Sequence, residues 1–235
     1  FSLAGLVLIC QLSKIETSTN TSVLYQAHFE YDTDGWAVAK AGWPIMSIEQ
    51  PIHVAEERGY IILEKKKKAS SNTAALYLSA SDAYVQLGPN LFGAEICFDY
   101  SQIAFPSAGD QWSSQLVSLP DVLLTSTCGR HIGLFGVIRG GRKIVQTACV
   151  RIQDGRDWRL ISSPASAAGA RSAPRATRPQ LAAVLWNLAG FFIRGAFHVG
   201  PESFALRSFR ATGDGHGALS IRACCSASGD VGPCG

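Results

Sequence analysis

The sequence has few charged residues and a single methionine, and these shortages narrow the classes of protein it can form. Charged residues make up 17% of the 235 residues, below the roughly 25% of an average soluble domain. Hydrophobic residues make up 47%, which excludes global disorder. The 23 glycines follow no three-residue period, which excludes collagen. A chain of this length forms one large domain or two small ones, and it can bury a core without a disulfide or a metal.

The sequence also lacks the short motifs that mark common enzyme active sites. It has no Gly-x-Ser-x-Gly turn of the serine-hydrolase type. It has no Gly-x-Gly-x-x-Gly after a strand and no phosphate-binding loop. The five histidines are scattered, and no Cys-x-x-Cys pair suits zinc. We therefore predict that the protein is not an enzyme and needs no catalytic cofactor.

Charge is nearly balanced over the whole chain but divided unevenly along it. The net charge of +3 is too small to indicate a nucleic-acid partner. Residues 1–120 carry 7 basic and 12 acidic side chains, whereas residues 121–235 carry 14 basic and 6 acidic ones. After Lys143 every basic residue is arginine. An arginine-rich surface suits an anionic partner such as a sulfated glycan, and an ordinary solvated surface is the alternative.

The first 21 residues form an apolar leader followed by a polar linker. Phe1–Cys10 is almost wholly apolar but too short to span a bilayer. It has the composition of a signal-peptide remnant or of a first buried strand. Asn20 begins an Asn-x-Ser triplet, which is a glycosylation acceptor pattern. We predict an extracellular or cell-surface location and no membrane span.

Six of the seven cysteines fall into two groups, and the seventh is Cys10 in the apolar leader. The odd count leaves at least one cysteine unpaired within the chain. Cys224, Cys225 and Cys234 lie in the Gly-rich tail 213–235, which has the composition of a disulfide-rich module, and unpaired thiols are the alternative. A second group falls within predicted strands, where cysteine serves as a small buried apolar residue. This group is Cys97, Cys128 and Cys149.

Alternation of apolar and polar residues dominates the middle of the chain. In Ala94–Ser101, Ile96, Phe98 and Tyr100 share one face, as in a half-buried strand. Residues 131–139 and 142–152 flank Gly140-Gly141, a two-residue turn that predicts a hairpin. About ten such short strands predict a β-sandwich over residues 22–212.

One segment has the pattern of a helix. Thr177 and Gln180 fit a capping box, in which each side chain bonds the backbone of the other. The apolar residues that follow have helical spacing and form one stripe: Leu181, Val184, Leu185 and Leu188. Gly190 is the predicted stop. The helix is short, and we expect it to pack at an edge of the sandwich.

Five further motifs follow one another between residues 28 and 211. They are Phe29–Trp36, Ala80–Tyr100, Asp121–Leu124, Asp157–Leu160 and Gln180–Leu206. The last one combines a leucine-rich helix, an Ile-Arg-Gly strand at 193–195, a Gly-Pro turn at 200–201 and a closing Ala-Leu strand at 205–206. In this order and spacing the sequence resembles the laminin IV type A domain, also called the laminin B domain.

The resemblance implies an all-β, jelly-roll β-sandwich with one short helix at its edge. It also implies a non-catalytic extracellular module, structural or adhesive, whose partner is an extracellular protein or glycan, including an anionic one. In laminins such domains lie between epidermal-growth-factor-like repeats, and the tail 213–235 is similar to the start of such a repeat.

A carbohydrate-binding module of a secreted multidomain protein is the alternative function. Trp43 and Trp112 lie in loop-like stretches, where an exposed indole ring would stack on a sugar. Trp36 and Trp158 lie within the family pattern, and we expect them in the core. Arg194 and His198 alternate with apolar residues of one strand. We name both as candidate ligand-binding residues, and a solvated surface position is the alternative for His198.

A structural calcium ion is the one metal that the resemblance suggests. Related jelly-roll modules hold calcium between their first and last strands, and Glu30, Asp32 and Asp34 could supply oxygen ligands. Arg207, however, stands where the family commonly has an aspartate. We therefore prefer the alternative, in which Asp32–Gly35 is a turn stabilised by aspartate side chains.

Overall fold

The computed structural model describes thirteen stretches of the chain. They are residues 21–30, 34–38, 52–55, 59–65, 75–79, 88–104, 120–139, 144–153, 157–161, 172–195, 202–213, 223–225 and 231–233.

Within these residues the chain forms two six-stranded antiparallel sheets. The first sheet contains β1 (Ser22–Ala27), β3 (Ile52–Ala55), β4 (Tyr60–Lys65), β6 (Glu95–Ala104), β9 (Gln146–Arg151) and β12 (Glu202–Gly213). The second contains β2 (Trp36–Val38), β5 (Ala75–Ser79), β7 (Val122–Ser126), β8 (His131–Leu134), β10 (Arg159–Ile161) and β11 (Leu188–Arg194). A separate pair joins β13 (Ala223–Cys225) to β14 (Val231–Pro233).

The order of the strands confirms the predicted all-β sandwich. The first sheet runs β3-β4-β12-β6-β9, with β1 also paired to β12, and the second runs β10-β8-β7-β11-β5-β2. Consecutive strands repeatedly alternate between the sheets, which is how a jelly roll buries one face of each sheet against the other.

The core between the sheets is rich in aromatic side chains. The Phe209 ring lies 5.1 Å from Trp36 and 5.2 Å from Phe191, both in edge-to-face geometry. Trp158 belongs to the same buried cluster, so the predicted core positions of both tryptophans are confirmed. The alternation in β6 is confirmed as well, because Ile96, Phe98 and Tyr100 are all buried in this core.

The described residues include one α-helix, α1, which spans Arg178–Trp186. The Thr177 amide donates to Gln180 Oε1 at 2.9 Å, as the predicted capping box requires. Leu181, Val184 and Leu185 join the core, so the helix packs at the edge of the sandwich as expected.

The predicted extension of the helix to Leu188 is wrong. Asn187 ends the helix, and its side-chain amide donates to the Ala183 carbonyl at 2.8 Å. The Asn187 carbonyl accepts the Thr127 amide at 2.8 Å. Leu188 then pairs with Ser126 as the first residue of β11. Sheet pairing with β7 therefore overrides the helical spacing of Leu188.

The hairpin predicted at Gly140-Gly141 is also wrong. β8 pairs with β7 and β10 in the second sheet, whereas β9 pairs with β6 in the first. The two strands that flank the glycines therefore belong to opposite layers, and the connection between them crosses from one sheet to the other.

Hydrogen bonds to buried side chains explain this crossing. Asp121 Oδ2 accepts the Val137 amide at 2.7 Å and the Ile138 amide at 3.1 Å. The Arg139 amide donates to the Tyr100 hydroxyl at 2.8 Å. These bonds hold the segment after β8 against the sandwich and direct it toward the first sheet before it can fold back on β8.

Two of the strand cysteines form a disulfide, so the prediction that they are small apolar residues is wrong. Cys97 of β6 and Cys149 of β9 lie directly opposite each other and are bonded, with 4.1 Å between their Cα atoms. Cys128 is also disulfide-bonded. Separately, none of the helices in the described residues has the length and apolar character that a membrane crossing requires.

We expect removal of the Cys97–Cys149 bridge to destabilise the sandwich. The double variant C97A/C149A should lose about 2–4 kcal/mol of unfolding free energy, because the bridge closes a loop of 52 residues in the unfolded chain. Urea denaturation of the variant measures this change without reducing the disulfide at Cys128. A loss below about 0.5 kcal/mol would show that the bridge adds little to the existing β6–β9 pairing.

Candidate functional site

A cleft of about 890 Å³ opens between the two sheets at one side of the sandwich. In the described part of the chain, β9 is the edge of the first sheet and β10 is the edge of the second. Residues 146–151 of β9 form one wall, and residues 134–137 with Arg139 form the facing wall. The crossing that Asp121 anchors therefore supplies one side of the cleft.

The cleft has an apolar floor and a charged rim. Tyr100, Ala148 and Trp158 form part of the floor and belong to the core. The exposed charged residues of the rim are Glu95, Arg139, Arg151 and Asp157. Two acidic and two basic groups make the rim neutral overall, so the cleft favours a ligand with charges of both signs or none.

Several polar groups of the cleft already have partners. The Trp158 indole Nε1 donates to the Arg151 carbonyl at 3.0 Å. The Thr147 hydroxyl donates to Asp99 at 2.6 Å, and Cys149 is held in its disulfide. Phe135 is a half-buried aromatic ring in the lining, and it is the group best placed to contact an apolar part of a ligand.

A buried ionic cluster lies at the ends of β6, β7, β11 and β12. Arg194 Nη1 lies 3.8 Å from Asp121 Oδ1, and the Arg194 amide donates to the Asp121 carbonyl at 2.8 Å. Glu202 also attracts Arg194 electrostatically and accepts the Gln102 side-chain amide at 2.8 Å. Because Glu202 belongs to the first sheet and Arg194 to the second, the cluster joins the two layers.

Burial shifts the pKa of both members of the ion pair. Desolvation raises the pKa of Asp121 above its usual range, and the Ile138 amide and the Arg194 charge partly offset this rise. Desolvation lowers the pKa of Arg194 to about 10, against the attraction of Asp121 and Glu202. Desolvation therefore disfavours the charged form of each group, and the charge of the other member of the pair partly offsets this cost.

Arg194 lies in this cluster and not at the cleft. It is only 2% exposed, whereas its alternation with Ile193 predicts a side chain turned to a ligand. Its two buried carboxylate neighbours explain the difference, because they draw the guanidinium inward. Its part in ligand binding stays a prediction, as does that of its neighbour on the predicted strand, His198, which lies outside the described residues.

The other predicted sites are described only in part. Trp43, Trp112, Asp32 and Asn20 all lie outside the described residues. Glu30 is exposed. No group of three or more potential metal ligands occurs among the described side chains, and the calcium site stays a prediction.

Asp34 has the role of a turn residue. Its Oδ2 accepts the backbone amides of His28 and Phe29, each at 2.8 Å. Phe29 and Asp34 both have positive φ angles, which the two hydrogen bonds stabilise. One oxygen of the carboxylate is therefore occupied by the backbone of this turn.

None of the residues that line the cleft was predicted from the sequence as a site residue. Phe135, Arg139 and Gln153 carry no motif, and they converge only because β8 and β9 belong to different sheets. A cysteine pair in adjacent antiparallel strands is the signal that could have placed β9 beside β6.

Comparisons with known proteins show similarity in fold and do not assign a family. No family model matches the sequence, and no curated protein matches it. The L4b domain of human laminin α2 is structurally similar, with a TM-score of 0.49 and 10% identity over 70% of this chain and 85% of that one.

Two microbial structures are also similar. One is the family 11 carbohydrate-binding module of a Clostridium thermocellum cellulosomal cellulase, with a TM-score of 0.31 and 13% identity over 85% of this chain and 91% of that one. The other is the catalytic domain of a Thermotoga petrophila endo-1,3-β-glucanase, with a TM-score of 0.33 and 10% identity over 82% and 98%. At these values none of the similarities assigns an activity or a ligand to this chain.

We expect Asp121 and Arg194 to be strongly coupled. Asp121→Leu and Arg194→Leu should each lower the unfolding free energy by about 3–5 kcal/mol, because each leaves its partner buried with less compensation. The double variant should lose clearly less than the sum of the two single losses. Urea denaturation of the four proteins measures the coupling, and additive losses would show that the two charges do not stabilise each other.

His131 should make the sandwich less stable in mild acid. Burial lowers the pKa of His131, so the unfolded chain binds a proton first as the pH falls below about 6.5. Acidification to pH 5 should therefore cost wild type more stability than His131→Phe, by at most about 1.4 kcal/mol per pH unit. Protonation of Asp121 in acid has the opposite effect on the free energy of unfolding, and it occurs in both proteins. The difference between the changes in their urea midpoints therefore reports the contribution of His131. Equal losses in both proteins would contradict this role.

Proposed function

We propose that this chain is a non-catalytic interaction module of an extracellular protein, of the laminin IV type A kind, and that its cleft binds the partner. The open cleft between β9 and the segment after β8 is the observation that carries the proposal. Its lining combines an apolar floor, one accessible aromatic ring and charges of both signs. Such a combination orients and holds a ligand through many weak contacts.

The disulfides support an extracellular location. The Cys97–Cys149 bridge joins two strands of the first sheet, and Cys128 lies in a second disulfide. Structural disulfides form and persist in oxidising compartments and are rare in the cytosol. The resemblance of the sequence to a family of secreted modules points to the same location.

The groups of the lining favour binding over nucleophilic catalysis. The Cys149 sulfur is in a disulfide, and the Thr147 hydroxyl donates to Asp99, so neither is arranged as an activated nucleophile beside a base. Glu95 and Asp157 lie on the exposed rim, whereas a carboxyl that acts as a general acid is usually desolvated.

Carbohydrate binding is the second candidate, and the position of Phe135 favours it. The ring is half-buried in the cleft together with the amide side chains of Gln146 and Gln153. An aromatic face packs on the apolar face of a sugar, and planar amides bond its hydroxyl groups. A neutral or zwitterionic glycan would suit the balanced charges of the rim.

We expect the secreted chain to bind without converting its ligand. The chain should be tested on a glycan array and on immobilised matrix proteins, with mass spectrometry of the soluble fraction for products. Phe135→Ala should weaken any glycan binding at least about tenfold, equal to about 1.4 kcal/mol, because it removes the ring from the cleft. Val23→Ala, an exposed position on β1, is the matched control and should bind normally.

Two results would contradict this proposal. Turnover of a glycan or peptide that is lost in Glu95→Gln or Asp157→Asn, with the fold retained, would make the cleft an active site. Binding that is unchanged in Phe135→Ala and in the β9 variants described below would place the binding surface elsewhere on the module.

A further inference from the structure

We propose that the outer edge of β9 binds an extended peptide, which adds a strand to the first sheet. This inference deepens the proposed function, on which it rests, by naming the partner class as a peptide segment and the binding element as a strand edge. Addition of a strand supplies affinity through backbone hydrogen bonds and specificity through alternate side chains.

The hydrogen bonds beyond the end of β9 show which way its backbone groups point. Ile152 donates its amide to the Ala94 carbonyl at 3.0 Å, and its own carbonyl accepts the Gly93 amide at 2.7 Å. Both groups of Ile152 therefore face the β6 side. In an antiparallel strand this orientation alternates, so Arg151, Cys149 and Thr147 direct their amides and carbonyls away from β6.

The disulfide is consistent with this assignment. Cys97 and Cys149 are paired in register, and their Cα atoms are only 4.1 Å apart. The shorter of the two cross-strand distances belongs to pairs that exchange no hydrogen bonds. The amide and the carbonyl of Cys149 therefore point to the side away from β6.

One of these outward groups already has a substitute partner. The Trp158 indole donates to the Arg151 carbonyl at 3.0 Å, in the place where the amide of a further strand would donate. On the same side, no hydrogen bond to the backbone of Thr147 or Cys149 occurs within the described residues. Within the described residues, donors and acceptors therefore remain at Thr147 and Cys149, two positions apart, which is the spacing that an extended peptide offers.

Apolar side chains are exposed where β9 begins. Ile144 is 62% exposed and Val145 is 52% exposed. Among the described residues only Val23 is a comparably exposed large apolar side chain. Edge strands usually carry charges or prolines that oppose pairing with another chain. The approach to β9 has apolar groups in their place, which a partner strand would cover.

The charges along the edge give the peptide a direction. Arg139 lies beside the start of β9, where its carbonyl accepts the Gln146 side chain at 3.1 Å. At the other end Glu95 lies in register opposite Arg151, so these charges offset each other, and Asp157 leaves that end acidic. An antiparallel peptide therefore fits best with a basic residue near its amino end and acidic and apolar residues near its carboxyl end.

The length of the edge fixes the length of the bound segment. Six residues of β9 at about 3.4 Å each cover roughly 17–20 Å. A suitable probe is the acetylated and amidated peptide Lys-Thr-Val-Thr-Val-Glu-Leu, labelled with fluorescein. The control probe is the same peptide with its lysine and glutamate exchanged. It has the same composition, but its acidic residue lies near the amino end and its basic residue near the carboxyl end.

Thr147 allows a test that separates the edge amide from the side chain. Thr147→Pro removes an amide that faces the cleft and leaves the β6 ladder donors in place, whereas Thr147→Val keeps the amide. Both variants lose the hydrogen bond from the Thr147 hydroxyl to Asp99. Thr147→Pro should weaken binding of the probe at least about tenfold, and Thr147→Val should bind within about twofold of wild type.

Fluorescence anisotropy measures the affinities, and hydrogen exchange locates the peptide. In wild type the probe should protect the amides of Thr147 and Cys149, and the control probe should bind more weakly. If Thr147→Pro does not fold, Ile144→Asp and Val145→Asp test the same edge without altering the backbone, and each should weaken binding at least about threefold.

Three results would overturn the inference: no binding of the probe, binding without protection of these two amides, or equal affinities of the proline and valine variants. Retained matrix-protein binding in Thr147→Pro would also overturn it, but would leave the proposed function standing. Turnover in the cleft would instead reject the proposed function.

Discussion

The buried carboxylate of Asp121 is the group on which the arrangement of the sandwich depends. It accepts two amides of the segment after β8 and lies beside Arg194 of β11. Arg194 is in turn attracted by Glu202, which begins the central strand of the first sheet. A single buried acid therefore holds the end of the second sheet and the segment after β8, and it is linked to the first sheet through Arg194 and Glu202. Removal of one charge from such a cluster is costly because the others stay buried.

The cleft is a consequence of this crossing. If residues 131–152 formed a hairpin, β9 would belong to the second sheet and would pair with β8. The edge of β9 that faces away from β6 in the structure would then lie beside β8. The bonds from Asp121 and Tyr100 hold residues 137–139, and β9 then becomes the edge of the first sheet, where Cys149 is bonded to Cys97. The disulfide keeps this edge strand in register with β6, which is its only neighbouring strand within the described part of the chain.

The sequence was sufficient for the elements whose signals are local. Alternation in β6 and the capping box at Thr177 depend on residues a few positions apart, and both are present in the structure. The sequence was insufficient for segments whose structure depends on pairing with residues far away in the chain. Leu188 has helical spacing but pairs with β7. Gly140-Gly141 has turn composition, but the two strands that flank it belong to different sheets. The cleft depends on such pairing between distant strands, which is why none of its residues could be predicted as a site.

The backbone groups on the outward edge of β9 are only partly hydrogen-bonded within the described residues, which argues for a surface that recognises a partner strand. A strand edge that must stay single is usually blocked along its length, but here Trp158 blocks one carbonyl, and among the described residues no further hydrogen bond reaches the outward backbone groups of Thr147 and Cys149. The disulfide prevents the strand from leaving β6, so these groups are held in extended geometry before any ligand arrives. Preorganisation of this kind reduces the entropy lost on binding. Charges of opposite sign at the two ends then select one direction for the incoming chain, and this selectivity opposes indiscriminate pairing with other exposed strands.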